Sequence, residues 1–191
     1  MREREAFPRA SEAADGSCLV VRGGGAEPAE RERARRLLAP YFPAATLAER
    51  LAEAECTAFV ALDSRGNLDG YGWIRHATQS PIWFDAFEIP PRSALFFNGY
   101  VVESARRRGV YSRLLAAVFG ELAARRDCER LFLIVEKSNT PALRNAKRLG
   151  LDRAYTNFLV KWLGRNILSI YAGRLGLRAY AIARHATRAR L

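Results

Sequence analysis

The segment from Ala94 to Leu122, ALFFNGYVVESARRRGVYSRLLAAVFGEL, constrains the chain more than any other, because an apolar strand pattern runs through three arginines and a glycine into a helix pattern. Leu95, Phe96, Phe97, Tyr100, Val101 and Val102 form an aromatic and β-branched run interrupted only by Asn98 and Gly99, which predicts a buried strand. Period-two alternation puts Asn98 on the face of Phe96 and Tyr100. Val110, Leu114, Leu115, Val118, Phe119 and Leu122 recur at helical spacing, with Arg113, Glu121 and Arg125 assigned to the opposite, solvated side. Between the two lies Arg106-Arg107-Arg108-Gly109-Val110-Tyr111-Ser112. Unpaired N–H groups and the positive end of the helix dipole meet at such a junction, so a phosphate accepts several hydrogen bonds there at once. Gly109 admits the anion close to the chain and Ser112 adds a hydroxyl. Alone, the segment reads equally well as a solvated loop.

Leu131 to Val135 predicts a further strand, followed by Glu136-Lys137-Ser138 and then Asn139-Thr140-Pro141-Ala142-Leu143-Arg144-Asn145-Ala146-Lys147-Arg148-Leu149-Gly150-Leu151. Thr140 is a capping residue type, Pro141 suits the first helical position and Gly150 ends the helix. Together the two segments resemble the GNAT superfamily of N-acyltransferases. That family carries a Gln/Arg-x-x-Gly-x-Gly/Ala phosphate motif, then an Asn with an Ala or Ser three residues on, and a Leu-Gly-Phe close. Arg106, Gly109, Asn139, Ala142, Leu149 and Gly150 match, whereas Tyr111 replaces the second small residue and Leu151 replaces the Phe.

The resemblance implies an α/β (α+β) fold, a mixed and mostly antiparallel central sheet flanked by helices. It implies an enzyme that moves an acetyl or longer acyl group from coenzyme A to the primary amine of a small molecule, by direct attack in a ternary complex and without a metal. The donor then rests on Arg106, Arg107, Arg108, Gly109, Val110, Tyr111 and Ser112, with backbone bonds to its arm from Val101 and Val102 and a contact from Asn139. One strand N–H polarises the thioester carbonyl. The family's tyrosine acid falls at Ala146, leaving Tyr100, Tyr155 or water in its place. Glu103 and Glu136 stand at strand ends as bases, and Asn98 as a residue that orders water or binds the acceptor; His76 and His185 are isolated and are not assigned. Alternatives are a non-catalytic acyl-CoA-binding module, and an acyltransferase for carrier-bound or membrane-associated substrates.

With 191 residues, 49% of them hydrophobic, the chain has enough apolar surface for one core. Residues 1–16 are charged and Ala-rich, read as a frayed start rather than a secretory signal, and no apolar run reaches the length of a membrane span. Cys18, Cys56 and Cys128 are odd in number and widely spaced, which indicates free thiols in a reducing cytoplasm. The formal net charge is +11, and Arg153, Lys161, Arg165, Arg174, Arg178, Arg184, Arg188 and Arg190 follow the last acid, Asp152. Residues 164–191 are expected to form a basic amphipathic helical segment packed on a domain spanning 17–163. That segment either presents an ordinary solvated arginine face or meets an anionic membrane surface or acyl carrier protein, placing the protein in the cytoplasm or at the inner membrane face. Nucleic acid is disfavoured because the aromatics do not interleave with the basic residues; a homodimer stays open.

Along the rest of the chain, Cys18 to Arg22 predicts a strand, Pro28 to Phe42 and Thr46 to Glu55 predict helices, and Thr57 to Asp63 with Gly70 to Thr78 predict a hairpin around Ser64-Arg65-Gly66-Asn67. Gly23 to Gly25 reads as a turn rather than a nucleotide loop. Gln79 to Ser93, with Trp83, Phe84 and Phe87, is either a core flap or one wall of a cleft, and Ala154 to Trp162 is the last expected strand.

Overall fold

In the computed structural model, which describes residues 17–79, 82–84, 87–125, 127–151, 155–162, 165–173 and 176–181, the arginine–glycine corner sits on a five-stranded sheet. Two compact units are distinguished, residues 1–80 with 90–134, and residues 81–89 with 135–191.

The first unit begins with β1 (Cys18–Arg22), α1 (Pro28–Leu38) with a 3-10 turn at Ala39–Tyr41, and α2 (Ala44–Ala52). Pro28 opens α1, as a residue without an N–H does at no cost in hydrogen bonds. The hairpin of β2 (Cys56–Leu62) and β3 (Leu68–Ala77) follows as expected. Its turn is fixed by the Asp63 carboxylate, which accepts from the Arg65 and Asn67 amides at 2.9 and 2.8 Å. Next come β6 (Ser93–Val101), a 3-10 turn at Glu103–Ala105, α3 (Val110–Ala124) and β7 (Arg130–Leu133). The sheet order is β1-β2-β3-β6-β7, antiparallel except for the β6–β7 pair.

Every residue of β2 is buried, as a strand covered on both faces must be. α3 packs across β1, β2, β3 and β6 with Val110, Leu114, Leu115, Val118, Phe119 and Leu122 inward. Arg113 is also buried, against the solvated placement expected of it. Position 113 is three residues after Val110 and so shares its face; a carboxylate on β3 makes that burial tolerable, as described below. Glu121 likewise is held by Arg22 through bonds of 2.9 and 2.6 Å.

The second unit contains β4 (Ile82–Phe84) paired with β5 (Phe87–Ile89), then α4 (Thr140–Arg148) and a sheet ordered β10-β9-β8. Its strands are β8 (Tyr155–Trp162), β9 (Arg165–Gly173) and β10 (Gly176–Ala181). The helical ending expected for 164–191 is thus corrected: residues 165–173 and 176–181 are strands of an antiparallel hairpin, with Gly176 facing Gly173. Apolar residues at 167, 168, 170 and 171 satisfy a helical period and a strand equally, and the main-chain ladder offered by β8, from Thr156↔Ala172 to Trp162↔Arg165, decides for strand. The frayed start at 1–16 and the end at 182–191, with His185, lie outside the described residues. Between Gln79 and Ser93 the Pro-broken stretch holds the β4–β5 hairpin.

Candidate active site

The site is built where β6 outruns its neighbour. β6 and β7 are paired only from Ser93↔Arg130 to Phe96↔Leu133, so residues 97–101 of β6 continue without a β7 partner. On the other edge, the pairing with β3 skips from Tyr71↔Tyr100 to Trp73↔Phe97, which sets two residues of β6, Asn98 and Gly99, against one of β3, Gly72. This is a β-bulge, and Asn98 in it has φ +48°. The bulge breaks the alternation: the Asn98 side chain reaches Arg50, which stacks on Phe97, instead of sharing the face of Phe96.

Beyond the bulge the register resumes. The Val102 N–H donates to the Asp69 carbonyl at 2.9 Å, and the Val102 carbonyl accepts from Ala105 N–H at 2.9 Å. Both main-chain groups of Val102 are therefore committed within the protein, against its expected role toward the donor's arm. In an antiparallel ladder adjacent residues point to opposite edges, so Val101 turns its N–H to the side that β7 has left.

The chain then turns through the corner. Arg107 has φ +64°, and Gly109, at the N-cap of α3, has φ +74° with no side-chain cap. Among the described residues none accepts from the N–H groups of Arg107, Arg108, Gly109, Val110, Tyr111 or Ser112, the first N–H tied back being that of Arg113, to the Gly109 carbonyl at 3.0 Å. A Cβ added at Gly109 meets nothing within 4 Å, so space lies directly over these amides. Arg106, Arg107, Arg108 and Ser112 are exposed around it. Such a concave run of amides at a helix start, ringed by guanidinium groups, fits a diphosphate.

Beneath the corner Asp69 and Arg113 form a buried ion pair at 2.8 Å, with side-chain exposures of 8% and 10%. Asp69 also lies 4.0 Å from Arg108. The pair joins the first turn of α3 to β3; the sequence reading passed over Asp69 and put Arg113 on the solvated side, although the signal was there in a carboxylate at a strand entry and an arginine three residues after Val110. Tyr111 faces Phe96 edge-on at 6.2 Å, and burial pushes its hydroxyl up to about 12, so it serves as packing and stays protonated.

The remaining expected residues are placed as follows. Tyr100 is exposed at 37% at the rim of β6, its ring 5.5 Å from those of Tyr41 and Tyr71. The Glu103 side chain is 87% exposed, 3.7 Å from Arg106. Asn139 belongs to the other unit, where its side chain caps α4 by accepting from Ala142 N–H at 3.2 Å. Ala146 lies in α4, and Tyr155 opens β8. His76 is buried and held down to about 4, chiefly by burial and then by Arg125, so at neutral pH it is uncharged and enclosed. Among the described residues no cluster of metal-ligating side chains occurs.

A sequence profile of the Acetyltransferase (GNAT) family matches residues 27–151. The chain belongs to the GNAT acetyltransferase family. It is accordingly an acyl-CoA-dependent N-acetyltransferase, with coenzyme A carrying the acyl group to an amine. Solved structures share the fold at low identity. The aminoglycoside N-acetyltransferase AAC(6′)-Iy, in complex with a bisubstrate analogue, superposes with a TM-score of 0.56 at 18% identity, over 80% of this acetyltransferase and 99% of that chain. An aminoglycoside acetyltransferase from an uncultured soil metagenomic sample gives 0.56 at 17% identity, over 78% and 99% of the two chains. The ribosomal-protein-alanine N-acetyltransferase of Brucella melitensis biovar Abortus 2308 gives 0.53 at 15% identity, over 77% and 99%. No curated protein sequence matches the acetyltransferase. No helix among its described residues is long and apolar enough to cross a membrane.

Proposed function

We propose that this acetyltransferase moves an acetyl or longer acyl group from coenzyme A to the primary amine of a small molecule, by direct attack of the amine in a ternary complex. The observation that carries the reading is the row of amides from Arg107 to Ser112, which have no acceptor among the described residues, beside a strand whose partner has ended. Coenzyme A supplies an activated thioester; the protein holds it and aligns the amine. A C–N bond forms, the C–S bond breaks, and the thiol leaves with one proton while the amine loses one.

In this reading the amides of the corner hold the diphosphate, and the Val101 N–H, turned to the vacated edge, bonds the donor and polarises its carbonyl. Tyr100, next to Val101 and open to solvent, gives the leaving sulfur its proton in place of the tyrosine absent at Ala146. Glu103, exposed at the end of the same strand, receives the amine's proton through water. Asn98, in the bulge, faces the acceptor. Titration calorimetry with acetyl-CoA and a thiol-release assay over mixed amines test the proposal. Binding with turnover supports it, and Tyr100→Phe then lowers kcat with little change in donor affinity. Binding with no thiol release across the panel leaves a donor-binding module instead.

A further inference from the structure

On the face opposite α3, Arg50 of α2 is buried at 6% exposure with its guanidinium over three rings, 5.1 Å from Phe42, 5.5 Å from Trp73 and 5.3 Å from Phe97. Cation–π contacts offset part of the cost of removing an arginine from water, but they supply no negative charge. Among the described residues no carboxylate lies within ion-pair distance of it. Of the acids in electrostatic reach, Glu53 is committed to Arg75 on β3 and Glu49 points to solvent. Among the described residues the hydrogen-bond partner of Arg50 is neutral: with the amide oriented by the donors it faces, the Asn98 oxygen accepts from Nη1 at 3.0 Å and Nη2 at 3.3 Å. Asn98 itself is exposed, in the bulge two residues from Tyr100 and three from Val101. Holding the oxygen inward turns the amide NH2 outward. From Phe42, under Arg50, the rings continue through Tyr71 to Tyr41 and Tyr100, which lie 5.5 Å apart with exposures of 38% and 37%.

An uncompensated buried cation, reached from solvent through one fixed amide and flanked by aromatic walls, is the environment of an anion-bearing guest. It is unsuited to a polycation. Resting on the acyltransferase reading above, we infer that the acceptor amine carries a carboxylate, bound by the Asn98 amide and the Arg50 charge behind it, with its hydrocarbon part against Tyr41 and Tyr100. The acceptor class is thus amino acids and other amino-carboxylates, and a polyamine such as an aminoglycoside is disfavoured at this seat.

The test uses the full chain and matched pairs: phenylalanine against phenylalaninamide and β-alanine against its amide, with a polycationic aminoglycoside as third arm. The amides are the more reactive nucleophiles at neutral pH, so preference for the acids runs against intrinsic reactivity. Thiol release is expected to favour an acid over its amide at least about tenfold in kcat/KM. Calorimetry compares N-acetylphenylalanine with N-acetylphenylalaninamide, with and without coenzyme A, so that carboxylate preference is scored even where donor binding, and with it the underlying reading, fails. Arg50→Gln brings the acid-to-amide ratio to about one and Arg50→Lys leaves it intermediate, both with unchanged acetyl-CoA affinity. Should Arg50→Gln not fold, Asn98→Leu, on the exposed bulge, is expected to give the same collapse of the ratio. Equal or better use of the amides or the aminoglycoside, or no calorimetric preference for the acid, overturns the inference.

Discussion

Gly109 is the residue on which donor binding turns. Its φ of +74° belongs to the left-handed region, where a side chain costs about 1–2 kcal/mol, and the space where its Cβ would stand is open. Gly109→Ala therefore carries strain alone, whereas Gly109→Glu also puts a carboxylate among the amides that face the diphosphate. Calorimetry with acetyl-CoA is expected to show a modest loss for the first and no measurable binding for the second; equal affinities would refute the cradle. His76 gives a prediction of another kind. In the unfolded chain it takes up a proton near 6.5, but in the fold only near 4, because burial and Arg125 oppose the charge. Between those values the unfolded state binds more protons, so stability is fully present above about 6.5 and declines as the pH falls toward 4, by up to about 3 kcal/mol. Glu121 and Asp127, its acidic neighbours, are held low by Arg22 and Arg125 and stay charged through most of that window. Urea melts from neutral pH down to about pH 5 should show the decline in the natural protein and a flatter profile in His76→Gln.

At the level of elements, the Asp69–Arg113 pair binds α3 to β3 directly under the corner, and β3 approaches β6 closely because position 70 has no side chain. A Cβ at Gly70 would stand 2.7 Å from the Tyr100 carbonyl oxygen and 3.1 Å from Val110, so Gly70→Ala pushes the two strands apart. Removing one member of a buried pair leaves the other charge in a poor solvent, and Asp69→Ala should cost about 3–5 kcal/mol of folding free energy. Thermal melts check the stability loss. A weakened acetyl-CoA affinity in molecules that remain folded checks that the pair also orients the first turn of α3. Most elements were readable because their periodicity had one interpretation: β1 matches its expected span of Cys18–Arg22, and the β2–β3 hairpin, β6, α3 and α4 follow their hydrophobic spacing and end signals. Where the sequence misled, a non-local partner had decided. The ladder from β8 makes a strand of 165–173, which pairs in turn with 176–181, a bulge set by pairing with β3 turns Asn98 to Arg50, and a distant Asp69 allows Arg113 inside. Asn98 and Gly99 were visible as an interruption of the strand, but its geometry depends on β3. The anion corner, being contiguous in sequence, was legible almost whole; the Arg50 seat, assembled from residues 41–50, 71–73 and 97–100, was not. The amphipathic helix that a membrane-surface role called for is replaced by paired strands over most of its length.

Across the whole molecule, a formal charge of +11 faces a donor that is itself polyanionic, and two sources of attraction have to be separated. One is the general field of the chain, to which the eight basic residues after Asp152 contribute heavily. The other is the local ring of exposed Arg106, Arg107 and Arg108 at the mouth of the amide row. Charges act over about 10 Å at 0.1 M salt and about 3 Å at 1 M, so a general field is lost early in a salt titration while contacts at the corner persist. Stopped-flow binding of acetyl-CoA should therefore show an association rate that falls steeply with added salt and a dissociation rate that changes little. Replacing Arg107 and Arg108 by Gln removes two charges at the mouth; replacing Arg188 and Arg190 by Gln removes two from the end of the chain. If the corner seats the diphosphate, the first pair speeds dissociation at every salt concentration, whereas the second slows association only where salt is low. Equal effects of the two double variants at high salt would mean that the donor is held by overall charge, leaving the open amides of α3 without a role.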